Sequence, residues 1–194
     1  MDPYYQIKAT REWWGNPCPS AFHHICSMVT SQEISFSKGR DIRKQLYSLS
    51  ESHGYGPVLV PKFILNLGKE RLSTTGLSES RCQTLIHAAI VGSQNIDNNP
   101  DIYSDIKGIG PWTIKGTKLL LGIDENIVLY EDKWIKQRLG QLVDKRIVTE
   151  TEAKNTFKLW PGHESLMSYF FWRAKPSAID KMKSSQPLTR DDFV

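Results

Sequence analysis

Apolar residues recur along this chain at three- and four-residue spacing, the period of a helix with one buried face, and nowhere alternate for long enough to suggest a strand. Ser20 caps a predicted helix with Phe22, Ile25, Cys26 and Val29 on one face, and a second helix from about Ser37 carries Ile42, Leu46 and Leu49. After the Gly54-Tyr-Gly-Pro57 break, Pro61 to Leu67 reads as a short helix, and Ser78 opens another with Leu85, Ile86, Ala89 and Ile90 inward. Gln94 to Pro100 is a polar loop. Helices follow from Pro111 to Leu121 and from Lys133 to Leu142, the latter with Trp134, Ile135, Arg138, Leu139 and Leu142 along one stripe. Thr149-Glu-Thr-Glu152 has the form of a capping box, and a last helix after Pro161-Gly162 carries Leu166, Tyr169, Phe170 and Arg173. Beyond Pro176 the chain is rich in Ser and Lys and reads as a polar tail. The pattern predicts an all-α protein without internal repeats.

Composition narrows the class. A chain of 194 residues supports one core or two lobes, and 39% hydrophobic residues with a mean hydropathy of −0.42 describe a globular protein. The net charge of +4 suits a polyanionic partner without requiring one. Three cysteines, Cys18, Cys26 and Cys82, are an odd set without paired spacing, which disfavours a disulfide framework and fits a reducing compartment. The group His23, His24, Cys18 and Cys26 matches no common zinc spacing. No run reaches the roughly 18 apolar residues that span a bilayer, and Met1-Asp2-Pro3 does not begin a signal peptide. The expectation is an intracellular protein, nuclear or cytoplasmic, with no membrane association.

The most specific chemistry lies in Asp105-Ile-Lys-Gly-Ile-Gly-Pro-Trp-Thr-Ile-Lys115. Gly108 and Gly110 permit a tight turn at φ > 0, and the helix opening at Pro111 presents unpaired N–H groups to an anion, with phosphate the natural guest. Gly108, Gly110 and Thr113 offer donors, while Lys107, Lys115 and Lys118 add charge; the last two serve equally well as a solvated helix face. Asp132 follows inside Leu129-Tyr-Glu-Asp-Lys-Trp-Ile-Lys-Gln-Arg138, where it can cap the next helix, hold a reactive carboxylate, or do both.

Ile106-Lys-Gly-Ile-Gly-Pro-Trp-Thr113 resembles the hairpin of the helix-hairpin-helix DNA glycosylase superfamily, with Asp132 where that family carries its catalytic aspartate. Ile25 to Ser35 resembles its early helix and Gln-containing wedge loop, Gly76 to Cys82 its Gly-hydrophobic-Ser segment, and Trp160 to Arg173 its closing helix. The Gly-Ile-Gly-Pro-Trp-Thr and Asp-Lys-Trp-Ile-Lys-Gln-Arg segments are most similar to the alkylpurine (3-methyladenine) branch. The resemblance implies a single domain over 1–175 made of two helical lobes, about 30–130 with the hairpin 105–121, and 1–29 with 131–175, leaving 176–194 as a tail. A DNA-binding cleft would lie between the lobes, with no iron–sulfur cluster. About twenty residues precede the first matched helix, too few for the β-rich lobe of larger members.

That resemblance implies a monofunctional glycosylase in base excision repair, a monomer acting on double-stranded DNA that contains a damaged base. Asp132 would stabilise the oxocarbenium-like transition state, and Trp112 stands where bifunctional relatives carry a Schiff-base lysine. Gln32 would enter the gap left by a flipped nucleotide, with the adjacent Glu33 a departure from the branch pattern. Trp112, Trp134, Trp172, Phe22 and Tyr169 are candidates for an aromatic base pocket, and His163 or Glu131 for a proton donor. The family's hairpin binds an alkali ion through backbone carbonyls, here those of Ser104, Ile106 and Ile109; beyond that structural Na+ or K+, no cofactor is expected. The Trp13-Trp14 pair either lines the cleft or fastens the N-terminus to the core. The rival readings are a glycosylase for a neutral lesion (uracil, a mismatch or an oxidised base) and a helix-hairpin-helix module that binds DNA without chemistry.

Overall fold

A computed structural model describes residues 20–95, 98–124 and 126–193. Trp13, Trp14 and Cys18 lie outside the described residues. Among the latter there are helices and no named strand, so the chain is all-α as its periodicity requires. They form two compact units, 20–121 and 122–193.

The first unit contains α1 (Ala21–Val29), α2 (Phe36–Ser52), α3 (Pro61–Ser73), α4 (Glu79–Gln94), a 3-10 turn (Pro100–Tyr103) and α5 (Pro111–Leu121). Serines set three of the starts: Ser20, Ser35 and Ser78 each accept a first-turn N–H, from His23, Lys38 and Arg81. Helix α1 is buried on nearly every side, because α4 and α5 both pack on it. Its contact with α5 is close enough that a Cβ at Gly116 would sit 2.1 Å from Met28 Cε. Sequence reading groups residues 1–29 with 131–175; instead α1 belongs with 30–121, since its apolar faces meet α4 and α5. Helix α3 bends at Gly68 (φ 70°), a conformation open to glycine at little cost. On α4 the inward residues are Cys82, Leu85, Ala88 and Ala89, while Ile90 is exposed, because small side chains mark the face that α3 approaches.

His23 is buried in this core. Its Nδ1 accepts the Leu59 N–H at 3.1 Å and its ring stacks on Tyr47 at 5.6 Å. Burial lowers its pKa from 6.5 to about 4, so between those values the unfolded chain holds a proton that the folded chain refuses. Stability should therefore be full above pH 6.5 and fall as the pH drops towards 4, by a total of about 3 kcal/mol. Urea titrations at pH 7 and 4.5 would measure this: His23→Asn should shrink the difference between the two pH values, and an unchanged difference would remove His23 as its source.

The second unit contains α6 (Lys133–Leu142), α7 (Glu150–Phe157), α8 (Glu164–Arg173), α9 (Pro176–Lys183) and a 3-10 turn (Arg190–Asp192). Thr149 and Glu152 form the expected capping box on α7. The core is aromatic: Phe157 meets Tyr130, Trp160 and Phe171 edge-on at 5.7–6.1 Å. Ile135 and Leu139 of α6 are fully buried, whereas Trp134 from the same predicted stripe is 44% exposed.

The predicted polar tail is a correction. Ala178 and Ile179 are fully buried where α9 packs on α6, and Phe193 meets Phe170 at 5.8 Å. Lys175 N donates to Asp192 O at 2.8 Å, and Asp192, 3% exposed, pairs with Lys181 at 2.8 Å while capping at Thr189. Few apolar residues suffice here because α9 packs on α6 and Phe193 on Phe170 of α8.

Candidate nucleic-acid interface and catalytic carboxylate

The hairpin between the 3-10 turn and α5 is fixed from three directions. Thr84 of α4 donates its hydroxyl to Lys107 O at 2.9 Å. Ile109 is sunk into the core at 4% exposure, and its N–H closes a turn to Ile106 O at 2.9 Å. From the α1–α2 loop, Gln32 Nε2 donates to Gly108 O at 2.9 Å and to Thr113 Oγ1 at 3.0 Å. Gly108 takes φ 95°, and a Cβ there would lie 2.5 Å from Thr84 Oγ1, so glycine is required twice over. Gly110 does not share this conformation: it is absent from the positive-φ glycines and its Cβ position is open, so one glycine makes the turn.

These contacts reassign several predicted residues. Gly108, Gly110, Lys107 and Lys115 are exposed at the hairpin, in reach of an anion at the first turn of α5. Thr113 is 1% exposed and its hydroxyl accepts from Gln32, so it braces the hairpin from inside. Gln32 likewise braces the hairpin, its amide donating to Gly108 O and to Thr113 Oγ1. Lys118 is paired with Asp101 at 2.7 Å, which reduces the charge it can offer. The carbonyls proposed for an alkali ion are neutral oxygens, the right donor type for a hard cation. Ile106 O already accepts the Ile109 N–H, and among the described residues no backbone N–H claims Ser104 O or Ile109 O.

Asp132 lies in the second unit. The segment before it is buried at Ile127, Val128 and Leu129, with Ile127 N donating to Ser165 Oγ at 2.7 Å and Leu129 N to Ser168 Oγ at 3.4 Å. Ser165 in turn donates to Asp124 O at 2.7 Å. Asp132 then caps α6, its Oδ1 accepting from Trp134 N at 2.8 Å and Ile135 N at 3.1 Å. At 7% exposure this is a carboxylate held at the positive end of a helix by two backbone amides, with its direction fixed before any ligand arrives.

The aromatic candidates divide. Trp112 is half-buried in the first unit, and Trp172 and Tyr169 are half-buried on α8 in the second. Burial raises the Tyr169 phenol pKa, with Arg173 opposing. Trp134 carries the Arg138 guanidinium 5.8 Å over its ring, and Arg138 is itself fixed by donating to Ala174 O at 2.7 Å. Phe22 is a correction: at 3% exposure, packed 6.5 Å from Tyr103, it belongs to the first core. His163 and Glu131 are both exposed. Sequence reading did not find Thr84, Arg81, Ser165 or Ser168, which act on backbone 23 to 49 residues away; the i, i+3 spacing of Ser165 and Ser168 was an available signal.

No family model matches the chain, and no curated protein matches it by sequence. Among solved structures, the Schizosaccharomyces pombe 3-methyladenine DNA glycosylase in complex with abasic DNA superposes with a TM-score of 0.66 at 17% identity, over 85% of this chain and 88% of that one. The 3-methyladenine DNA glycosylase of Archaeoglobus fulgidus gives 0.62 at 18% identity, over 86% of this chain and 60% of that one. The DNA-3-methyladenine glycosidase of Bacillus halodurans gives 0.61 at 16%, over 90% and 82%. The fold expected from the hairpin and closing-helix resemblance is the fold found.

Proposed function

We propose, from a fold shared with 3-methyladenine DNA glycosylases, that this chain is a monofunctional DNA glycosylase of base excision repair acting on alkylated purines in duplex DNA. The observation that carries the reading is Asp132, a nearly buried carboxylate with a fixed orientation at the head of α6. Helix capping alone is served as well by serine or asparagine, and a nearly buried aspartate adds a fixed negative charge of the kind that stabilises a developing cation.

In this mechanism the hairpin holds a phosphate with backbone N–H groups, aided by Lys107 and Lys115, and the damaged nucleotide leaves the stack because its C1′ is otherwise out of reach. An alkali ion on the carbonyls of Ser104, Ile106 and Ile109 would supply charge for that phosphate. The N-glycosidic bond breaks with its electron pair going to the purine, which is a good leaving group because alkylation has made it cationic. Asp132 stabilises the positive charge that develops on the sugar and takes a proton from the water that adds to C1′. An aromatic ring facing the cationic purine contributes about 0.5–2 kcal/mol, with Trp134, Trp172 and Tyr169, in the same unit as Asp132, as candidates. Tryptophan at position 112 has no amine to form a Schiff base, so the product is an intact strand with an abasic site.

Single-lesion duplexes test this. Incubation followed by alkali should cleave the strand at the lesion, and incubation without alkali should leave it whole. Scission without alkali would overturn the monofunctional assignment.

A further inference from the structure

Arg138 of α6 is half-buried, and among the described residues no carboxylate pairs with it. A guanidinium taken out of water without a counter-ion is costly, so the contacts that replace the ion are informative. There are two. Nε donates to Ala174 O at 2.7 Å, and the guanidinium lies 5.8 Å over the indole of Trp134, one helical turn back. Trp134 is in turn joined to Asp132, whose carboxylate accepts its N–H at 2.8 Å.

The carbonyl of Ala174 is held by the end of the chain. Ala174 and Phe193 form an antiparallel bridge, Lys175 N donates to Asp192 O at 2.8 Å, and Phe193 meets Phe170 at 5.8 Å. Asp192 is fixed by Lys181 at 2.8 Å and by the N–H and hydroxyl of Thr189 at 2.6 and 3.0 Å. A run of contacts therefore leads from Asp192 through Ala174 and Arg138 to the ring of Trp134, in the same unit as the carboxylate of Asp132. Capping the end of α8 with a positive charge would need only a lysine. A guanidinium is needed where one flat group must donate along its edge and stack with its face. The stack restricts an indole that is 44% exposed and has staggered alternatives open to it.

We propose that Arg138 is a positioning residue, which holds the Trp134 indole beside the Asp132 carboxylate, and that the C-terminal segment 188–193 holds Arg138 through Ala174. The consequence for catalysis rests on the glycosylase reading; the positioning itself does not. A ring that meets the purine before the bond breaks gains nothing as the base leaves uncharged. Its displacement therefore raises KM and leaves kcat near its wild-type value.

The full chain labelled with 5-fluorotryptophan tests the positioning by fluorine NMR, the Trp134 resonance being the one missing from Trp134→Phe. Arg138→Lys keeps the charge and a donor for Ala174 O but loses the flat stack, and it should move that resonance. Asp192→Asn should move it in the same direction by less, and Phe193→Ala, which loosens the same segment at its hydrophobic contact, should do likewise. On duplex DNA methylated at its purines, Arg138→Lys should raise KM about fivefold, the scale of one cation–π contact, with kcat within about twofold. In a Trp134→Ala background the same substitution should change KM less than about twofold, because a residue that acts through the ring has nothing left to position. A Trp134 resonance unmoved by Arg138→Lys, or a full KM effect that persists without the indole, would overturn the proposal. A resonance that answers to Arg138→Lys and to neither C-terminal variant would overturn the part assigned to residues 188–193. Absence of base release by the wild-type chain would end the glycosylase reading, and the spectrum would still decide the positioning.

Discussion

Asp132→Asn should reduce base release by at least about a hundredfold, the scale associated with losing one group that stabilises transition-state charge, while leaving the fold and DNA affinity nearly intact. The separation is possible because Asp132 has two roles. As the cap of α6 it accepts from Trp134 N and Ile135 N through one oxygen, and an asparagine carbonyl accepts the same two bonds. As a catalytic group it must carry negative charge opposite the developing cation and take a proton, and an amide does neither. Asp132→Ala should lose both, adding a cap penalty of about 1 kcal/mol that urea denaturation would detect against the asparagine variant. Full activity in Asp132→Asn would reduce the residue to a helix cap.

Gly108→Ala should have the second largest effect, a loss of stability of about 1–3 kcal/mol together with weakened DNA binding at every sequence. Two independent costs meet at this position. A φ of 95° is strained for any β-carbon, and the added atom would lie 2.5 Å from Thr84 Oγ1. Thr84 is short, β-branched and bonded to Lys107 O and Ser80 O, so it cannot swing aside without surrendering the contacts that fix the turn. In the pair Gly108→Ala, Thr84→Ala the clash disappears and the backbone strain stays, so only partial recovery is expected; melting curves and salt-dependent DNA titrations of the three variants separate the terms. Wild-type affinity in Gly108→Ala would show that the turn does not contact DNA.

Local signals in the sequence were reliable where the physics is local. Ser20, Ser78, Thr149 and Asp132 each cap the helix predicted for them, because a cap is decided by a side chain and the amides two or three residues on. The hairpin was legible as a turn before a helix, but the assignment of positive φ to Gly110 was not, since composition does not say which of two glycines bears the turn. What was not legible lies where distant contacts decide. Gln32 and Thr113 meet across 81 residues, and no local pattern announces that contact. Residues 176–193 look polar, yet Ala178 and Ile179 are buried where α9 packs on α6, and Phe193 meets Phe170 of α8. Phe22 and Trp134 each lie on a predicted inward stripe, yet the first is 3% and the second 44% exposed: helix periodicity locates a face, while the neighbours decide how much of it is covered.

The central claim is that this chain breaks an N-glycosidic bond in DNA with Asp132. Purified protein incubated with duplex DNA methylated at its purines, with the supernatant analysed by chromatography and mass spectrometry, tests it most directly. Wild type should release free methylated purine and leave abasic sites in unbroken strands, and Asp132→Asn should bind the same DNA and release none above background. Binding without release by the wild-type chain would contradict the account and leave a DNA-binding module in its place.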